Sequence, residues 1–273
     1  MSSLQAISHE LQTFIKSRAS FKLINFASSS SDIHQSQQLD QQIHLRLPLI
    51  SPLTKRLLIL DSSFNPPHKA HASLIVQSLL HNYDPAGTVG FATINKFSVL
   101  LLLSINNADK KTAKPAQFHH RVAMMLELAN ELQNNYGVAV GVGLTDKSLF
   151  VNKSKVVSEY LATVATGANS GAAVDTTHAE VTGTHYDATG VSASNPQRLP
   201  RLTFLLGFDT LVRFLNPAYY KPSSLEDSLT PFFKDSDLFI LEREDGKLTL
   251  KEQNEYINKI GTGELDQKDD FGW

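Results

Sequence analysis

The chain has 273 residues, a formal net charge of −2 and a pI near 6.5, which suits one large domain or one domain with extensions. This charge argues against a protein that coats a polyanion, since such proteins carry basic runs or a pI above about 9. The chain has no cysteine, which excludes a disulfide scaffold and a thiolate metal site. No apolar run approaches the roughly 18–20 residues of a membrane helix, so a soluble protein is predicted.

The first 50 residues are predicted to form an N-terminal helix followed by a connector. Apolar residues recur there at helical spacing, namely Leu4, Ile7, Leu11 and Phe14. The basic residues behind them resemble a transit peptide, but a helix that docks on the domain is the favoured interpretation. Residues 28–42 are rich in Ser and Gln, which predicts a flexible connector, and the main domain is predicted over residues 51–273.

From residue 51 the chain alternates between strand-like and helix-like patterns. Five short apolar runs are typical of strands buried on both faces: residues 57–60, 97–103, 138–142, 202–206 and 238–241. Helical patterns follow the first four runs, at residues 72–79, 118–132, 156–164 and 210–215. This alternation predicts an α/β fold with a doubly wound parallel sheet. Ligands bind such sheets beyond the carboxyl ends of the strands, which directs attention to the residues after Leu60, Leu103 and Leu206.

One segment, residues 165–197, does not follow this alternation. It is dominated by Ala, Thr, Gly and Ser, and it contains no Leu, Ile, Phe, Met, Lys or Arg. Such a composition buries too little apolar surface to offset the entropy of ordering, so a disordered insertion is predicted. Its two histidines, His178 and His185, lack the rigid surroundings that a metal site needs.

The turn after the first apolar run carries the strongest functional pattern. It contains Ser62 and Ser63, then two prolines, residues 66–67, where a helix would start. His68 and His71 lie three residues apart, so on a first helical turn they share one face. There they would lie beside the unpaired N–H groups of the helix N-terminus, which attract anions. With no carboxylate in the same turn, phosphate is favoured over a metal ion; the alternative is an ordinary turn with surface histidines.

Residues 62–71 read Ser-Ser-Phe-Asn-Pro-Pro-His-Lys-Ala-His, which resembles the G-x-F-x-P-x-H-x-G-H signature of the H-x-G-H nucleotidyltransferase superfamily. Within it, the segment resembles the nicotinamide mononucleotide adenylyltransferase family, in particular its fungal promoter-of-filamentation subgroup. Further matches follow in the family's order: Lys114-Pro115 before His120-Arg121, Gly207-Phe208-Asp209, and a last strand trailed by Arg243. Together these matches span residues 57–243.

The resemblance implies a Rossmann-like nucleotidyltransferase fold and the joining of ATP and nicotinamide mononucleotide to give NAD and pyrophosphate. His68 and His71 would then act on the ATP phosphates, while Ser62, Ser63 and Phe64 would line a floor shared by both substrates. The attacking group would be the mononucleotide's own phosphate, so positioning and cationic stabilisation suffice without a general base. Mg²⁺ is expected, held mainly by the ATP phosphates. The resemblance also implies a cytoplasmic or nuclear location, and the near-neutral charge and the lack of a long apolar run predict no nucleic-acid or membrane partner.

Four further residues are candidates for substrate binding. Asp209 would accept hydrogen bonds from ribose hydroxyls, and Gly207 would let the backbone approach closely; the alternative for Asp209 is a helix N-cap. Lys114 matches the family's lysine-bearing loop and is preferred over the neighbouring lysines because Pro115 follows it. Arg243 matches the arginine that trails the last strand.

Two aromatic residues and several departures from the family pattern complete the analysis. Tyr220 stands where the family stacks an aromatic ring on nicotinamide, with surface packing as the alternative, and Phe150 is more consistent with a core residue. Ser62 and Ala70 replace glycines of the signature. The family's late S-S/T-x-x-R segment has no counterpart, so the chain is either truncated or lacks a phosphate clamp. The second hypothesis is therefore a catalytically weak or inactive nucleotide-binding protein that acts through a partner.

Overall fold

A central sheet organises the protein, which is described here by a computed structural model. The structure describes residues 3–24, 49–83, 91–106, 116–165, 199–243 and 248–262. The six strands are β1 (Phe21–Ile24), β2 (Arg56–Asp61), β3 (Phe97–Ser104), β4 (Ala139–Thr145), β5 (Arg201–Gly207) and β6 (Ser236–Leu241). They lie in the order β1-β4-β3-β2-β5-β6, and all neighbours pair in parallel except β1, which is antiparallel to β4. The predicted α/β fold with a doubly wound sheet is confirmed.

Helices cover both faces of this sheet. They are α1 (Ser3–Ser17), α2 (Lys69–Leu80), α3 (Phe118–Tyr136), α4 (Phe150–Ala165), α5 (Phe208–Phe214), α6 (Leu225–Asp235) and α7 (Leu250–Thr262), with short 3₁₀ helices at Phe91–Lys96 and Pro217–Tyr220. In β2, Leu58 and Leu60 join the core formed with α1, α2 and α3, whereas Leu57 and Ile59 join the core on the opposite face. Successive strand residues point to opposite faces, so a strand that is covered on both sides reads as a continuous apolar run. None of the described helices is both long and apolar enough to cross a membrane.

The N-terminal segment belongs to the same core as the main domain. Ile7, Leu11 and Phe14 of α1 are buried in the cluster that also contains α3 residues, and β1 extends the sheet. In the described part of the chain, residues before position 50 therefore share a core and a sheet with the residues after it, and the division of the chain near residue 50 stays a prediction. The predicted connector at residues 28–42 lies outside the described residues, as does the predicted insertion at residues 165–197 beyond its first residue.

The sheet order defines where a ligand would bind. β2 is central, with β3 and β4 on one side and β5 and β6 on the other, so the direction of strand addition reverses between β2 and β5. Open sheets of this kind bind ligands at such a reversal, outside the carboxyl ends of the strands. The loop that leaves β2 and the loop that leaves β5 meet this criterion.

Candidate active site

The loop that connects β2 to α2 has an unusual backbone. Phe64 has a φ of 44°, in the left-handed region that bulky residues rarely adopt. Its ring is fully buried, and the centre of that ring lies 5.2 Å from the centre of the His71 ring. The Phe64 side chain therefore packs against His71 without exposed surface, and its role in lining a floor for the substrates stays a prediction.

The two histidines of the loop are brought together as predicted. His68 is the N-cap of α2, and the centres of the His68 and His71 rings lie 3.8 Å apart. The backbone N–H of His68 donates to Nδ1 of His71 at 3.0 Å, and Nε2 of His71 lies 2.8 Å from Oγ of Ser62. His71 therefore takes the place of the glutamate in a capping box and ties the helix start to the end of β2.

These two contacts fix the protonation of His71. A backbone N–H can only donate, so Nδ1 is the acceptor and Nε2 carries the proton that is donated to Ser62. Burial, with a smaller contribution from the neighbouring His68, lowers the pKa of His71 to about 4. At neutral pH the ring is therefore an uncharged donor with one N–H, placed at the carboxyl end of the central strand.

The depressed pKa makes a prediction for stability. Below pH 6.5 the unfolded chain binds a proton at His71 that the folded chain does not bind until about pH 4, so the free energy of unfolding decreases as the pH is lowered through this window. Between pH 7 and pH 4.5 we expect the wild type to lose about 2 kcal/mol more than His71→Gln. Urea unfolding of both proteins at the two pH values measures these losses. The carboxylates are the same in the wild type and in His71→Gln, so their contribution cancels when the two losses are subtracted. Equal losses would contradict a buried neutral His71.

A buried ion pair lies on the opposite face of the same strand end. Nζ of Lys153 in α4 donates to Oδ2 of Asp61 at 2.5 Å, and the Lys153 side chain is 4% exposed. Phe150 lies below it, with the ammonium 5.1 Å from the centre of the ring, and packs edge-on against Phe204. Phe150 is thus a core residue, as the sequence favours. Asp61 and Lys153 were not predicted, because nothing in the sequence relates two residues 92 positions apart.

The end of β5 carries the second group of predicted residues. β5 pairs in parallel with β2 up to Ile59 and Phe204, so the carboxyl ends of the two strands lie at the same edge of the sheet. Gly207 caps α5, and a Cβ added to it would lie 3.0 Å from Oδ1 of Asp209, so this glycine leaves room for the carboxylate. The structure thus brings Gly207 and Asp209 to the strand end next to the histidine loop.

Two arginines approach the Asp209 carboxylate. Nη2 of Arg213 lies 3.1 Å from Oδ2, and Nη2 of Arg243 lies 4.0 Å from Oδ1. The backbone of Arg243 is held by Gln253 of α7, whose side-chain amide donates to its carbonyl at 2.7 Å and accepts from its N–H at 3.3 Å. Gln253 was missed because α7 was not predicted from the sequence.

Two other predicted residues do not join this group. Tyr220 is buried in the core beneath α6, its hydroxyl donates to the Phe214 carbonyl at 2.7 Å, and burial raises its pKa to about 12. This position matches packing, the alternative left open for Tyr220, rather than an exposed stacking surface. Lys114 lies outside the described residues.

A sheet of this order with a histidine pair where the strand order reverses has the Rossmann-like nucleotidyltransferase fold. Comparison with known proteins identifies the family within this fold. Over 239 residues the chain is 31% identical to a Schizosaccharomyces pombe protein named "Putative nicotinamide mononucleotide adenylyltransferase", and the match covers 87% of this chain and 69% of that protein. No family model matches the chain. On this similarity, the chain belongs to the nicotinamide mononucleotide adenylyltransferase family.

Proposed function

We propose that the protein transfers AMP from ATP to nicotinamide mononucleotide, forming NAD and pyrophosphate. The observation that carries this proposal is the arrangement of His68, His71 and Ser62 at the end of the central strand. Two imidazole rings with centres 3.8 Å apart border the first turn of α2, where the backbone N–H groups of a helix have no acceptor within the helix itself. Helix N-termini of this kind favour phosphate, and the name of the S. pombe relative supports the particular substrates.

In this reaction a phosphate oxygen of nicotinamide mononucleotide attacks the α-phosphorus of ATP. The bond from that phosphorus to the bridging oxygen breaks, and pyrophosphate leaves with the electron pair. The attacking oxygen is already anionic, so the protein needs no base and contributes donors where charge grows. Nε2–H of His71 would exchange Ser62 for a phosphate oxygen, and His68, exposed at the helix start, would reach the same triphosphate.

The group at the end of β5 would bind the rest of the nucleotide. Asp209 would accept hydrogen bonds from ribose hydroxyls, with Arg213 and Arg243 holding the carboxylate in place. Gly207 would leave the backbone open at this point. Lys114 and Tyr220 remain candidates for a phosphate contact and a nicotinamide contact, respectively, and Tyr220 would need to leave its buried position.

ATP would enter as its magnesium complex. Among the described residues no group of three or more His, Asp or Glu side chains is arranged to hold a metal ion. The two carboxylates of the site, Asp61 and Asp209, are already paired with Lys153 and Arg213. The ion would therefore be carried by the phosphate oxygens of the substrate.

NAD formation from ATP and nicotinamide mononucleotide tests the proposal. Purified protein is incubated with both substrates and Mg²⁺, NAD is quantified by a coupled dehydrogenase, and pyrophosphate is measured in parallel. We expect equal amounts of the two products and their loss with EDTA. The same assay with CTP in place of ATP, and with nicotinate mononucleotide in place of nicotinamide mononucleotide, shows which nucleotides the protein uses. ATP binding in a calorimeter without pyrophosphate release would refute this function and favour a nucleotide-binding protein that acts through a partner.

A further inference from the structure

The histidine loop is held from α3 as well as from α2. Nη1 of Arg121, in the first turn of α3, donates to the carbonyl of Ser63 at 2.9 Å. Just before the helix, the N–H of Ala116 donates to Oδ1 of Asn65 at 3.0 Å. Both contacts join segments more than 50 residues apart in the chain. The loop that carries the candidate site is therefore clamped between the starts of two helices.

Arg121 carries a positive charge in a largely buried position. Its side chain is 5% exposed, its Cζ lies 4.3 Å from the centre of the Phe118 ring, and its Nε is buried with no hydrogen-bond partner among the described residues. No carboxylate of the described part of the chain pairs with it. A buried charge is unfavourable unless its polar groups are paired, and among the described residues the hydrogen-bond partner of Arg121 is the Ser63 carbonyl.

The contact with Ser63 has a direct effect on the loop. The peptide between Ser63 and Phe64 is trans, so its carbonyl and N–H point in opposite directions; with the carbonyl bound to Arg121, the Phe64 N–H faces away from α3. Phe64 then continues with a φ of 44°, a conformation that costs roughly 1–2 kcal/mol. Such a residue persists only where its surroundings hold it, and here they are Arg121 on one side and the His71 ring on the other.

We propose that Arg121 is a positioning residue: it holds the Ser63 carbonyl so that Phe64 stays under His71 and Nε2 of His71 stays aligned with Ser62. In this role Arg121 acts through the loop, by way of its bond to the Ser63 carbonyl. The expected effect on catalysis rests on the proposed function, whereas the effect on the loop does not.

The test compares three variants in α3. Arg121→Met removes the donor and the charge, Arg121→Lys keeps the charge and a single ammonium, and Val122→Ala is the control. Val122 is fully buried in the adjacent position and its side chain has no hydrogen-bonding group, so its truncation weakens α3 by roughly 1–3 kcal/mol without releasing the Ser63 carbonyl from Arg121. The pKa of His71 is followed by NMR of ¹⁵N-labelled imidazole without substrate, and kcat and KM for ATP are measured separately.

When Ser63 is released, Phe64 no longer seals the His71 ring from water. We expect Arg121→Met to raise the pKa of His71 by about one unit or more from its value near 4, and Arg121→Lys to raise it less. Val122→Ala should leave it unchanged. Turnover in Arg121→Met should fall about 10- to 100-fold, the scale of a slightly misplaced donor, while Val122→Ala keeps wild-type kcat.

The two readouts separate the possible failures. An unchanged His71 pKa in folded Arg121→Met, or the same change in Val122→Ala, would overturn the positioning role. If Arg121→Met does not fold, the shift in Arg121→Lys decides, and its absence counts against the proposal. If no protein, including the wild type, makes NAD, the proposed function fails while the imidazole measurement still decides how the loop is held.

Discussion

His71→Ala is expected to lower kcat/KM for NAD formation by about two to three orders of magnitude, the scale of losing one preorganised donor. The ring supplies a single N–H at the end of the central strand, and its Nδ1 also accepts the His68 N–H. Truncation therefore removes the donor and frees the start of α2. Steady-state kinetics with ATP and nicotinamide mononucleotide measure the loss, and circular dichroism checks that the fold is retained.

His81→Ala is the matched control for this variant. His81 is the C-cap of the same helix, at the end opposite to His68 and His71. It packs edge-on against Tyr83 and Phe239. We expect it to keep NAD formation within a few-fold of the wild type. His71→Gln, which places an N–H near the position of Nε2, should recover part of the activity. Wild-type turnover in His71→Ala would remove this histidine from the mechanism.

Lys153→Met is expected to destabilise the fold by about 3–5 kcal/mol, because it leaves the Asp61 carboxylate buried without its partner. The pair is almost fully enclosed, with side chains 4% and 12% exposed. Lys155 of the same helix offers the contrast: it is 75% exposed and lies 3.9 Å from Glu159. An exposed pair of this kind contributes at most about 0.5 kcal/mol. Lys155→Met should therefore leave the free energy of unfolding nearly unchanged.

Urea unfolding of the single and double variants measures this effect. Asp61→Asn combined with Lys153→Met removes both charges, and we expect the double variant to regain most of the lost free energy of unfolding. Losses that simply add in the double variant would show that the two side chains do not stabilise each other. The same outcome would count against the placement of α4 beside the end of β2.

The parts of the fold that were predictable are those that a local pattern determines. A strand that is covered on both faces must be apolar throughout, so the apolar run at residues 57–60 was enough to predict β2. The helix at α3 followed from its apolar stripe. The histidine loop was predicted because Pro, Ser and His occur within ten residues, where chain connectivity alone brings the side chains together.

The remaining features depend on tertiary contacts. β1 is four residues long and includes Lys22, so it becomes a strand only by pairing with the edge of β4. The partners of Asp61 and Ser63 lie on α4 and α3, and no local pattern relates them. Phe64 and Tyr220 show the same limit, since an aromatic residue beside a site is equally suited to line it or to pack beneath it.

A crystal structure of the protein with Mg²⁺ and a non-hydrolysable ATP analogue tests the central claim most directly. We expect the triphosphate at the start of α2, with a phosphate oxygen within hydrogen-bond distance of Nε2 of His71 and the ribose near Asp209. Triphosphate bound elsewhere, with the His71–Ser62 contact undisturbed and no ligand at the ends of β2 and β5, would contradict the assignment of this loop as the phosphate site.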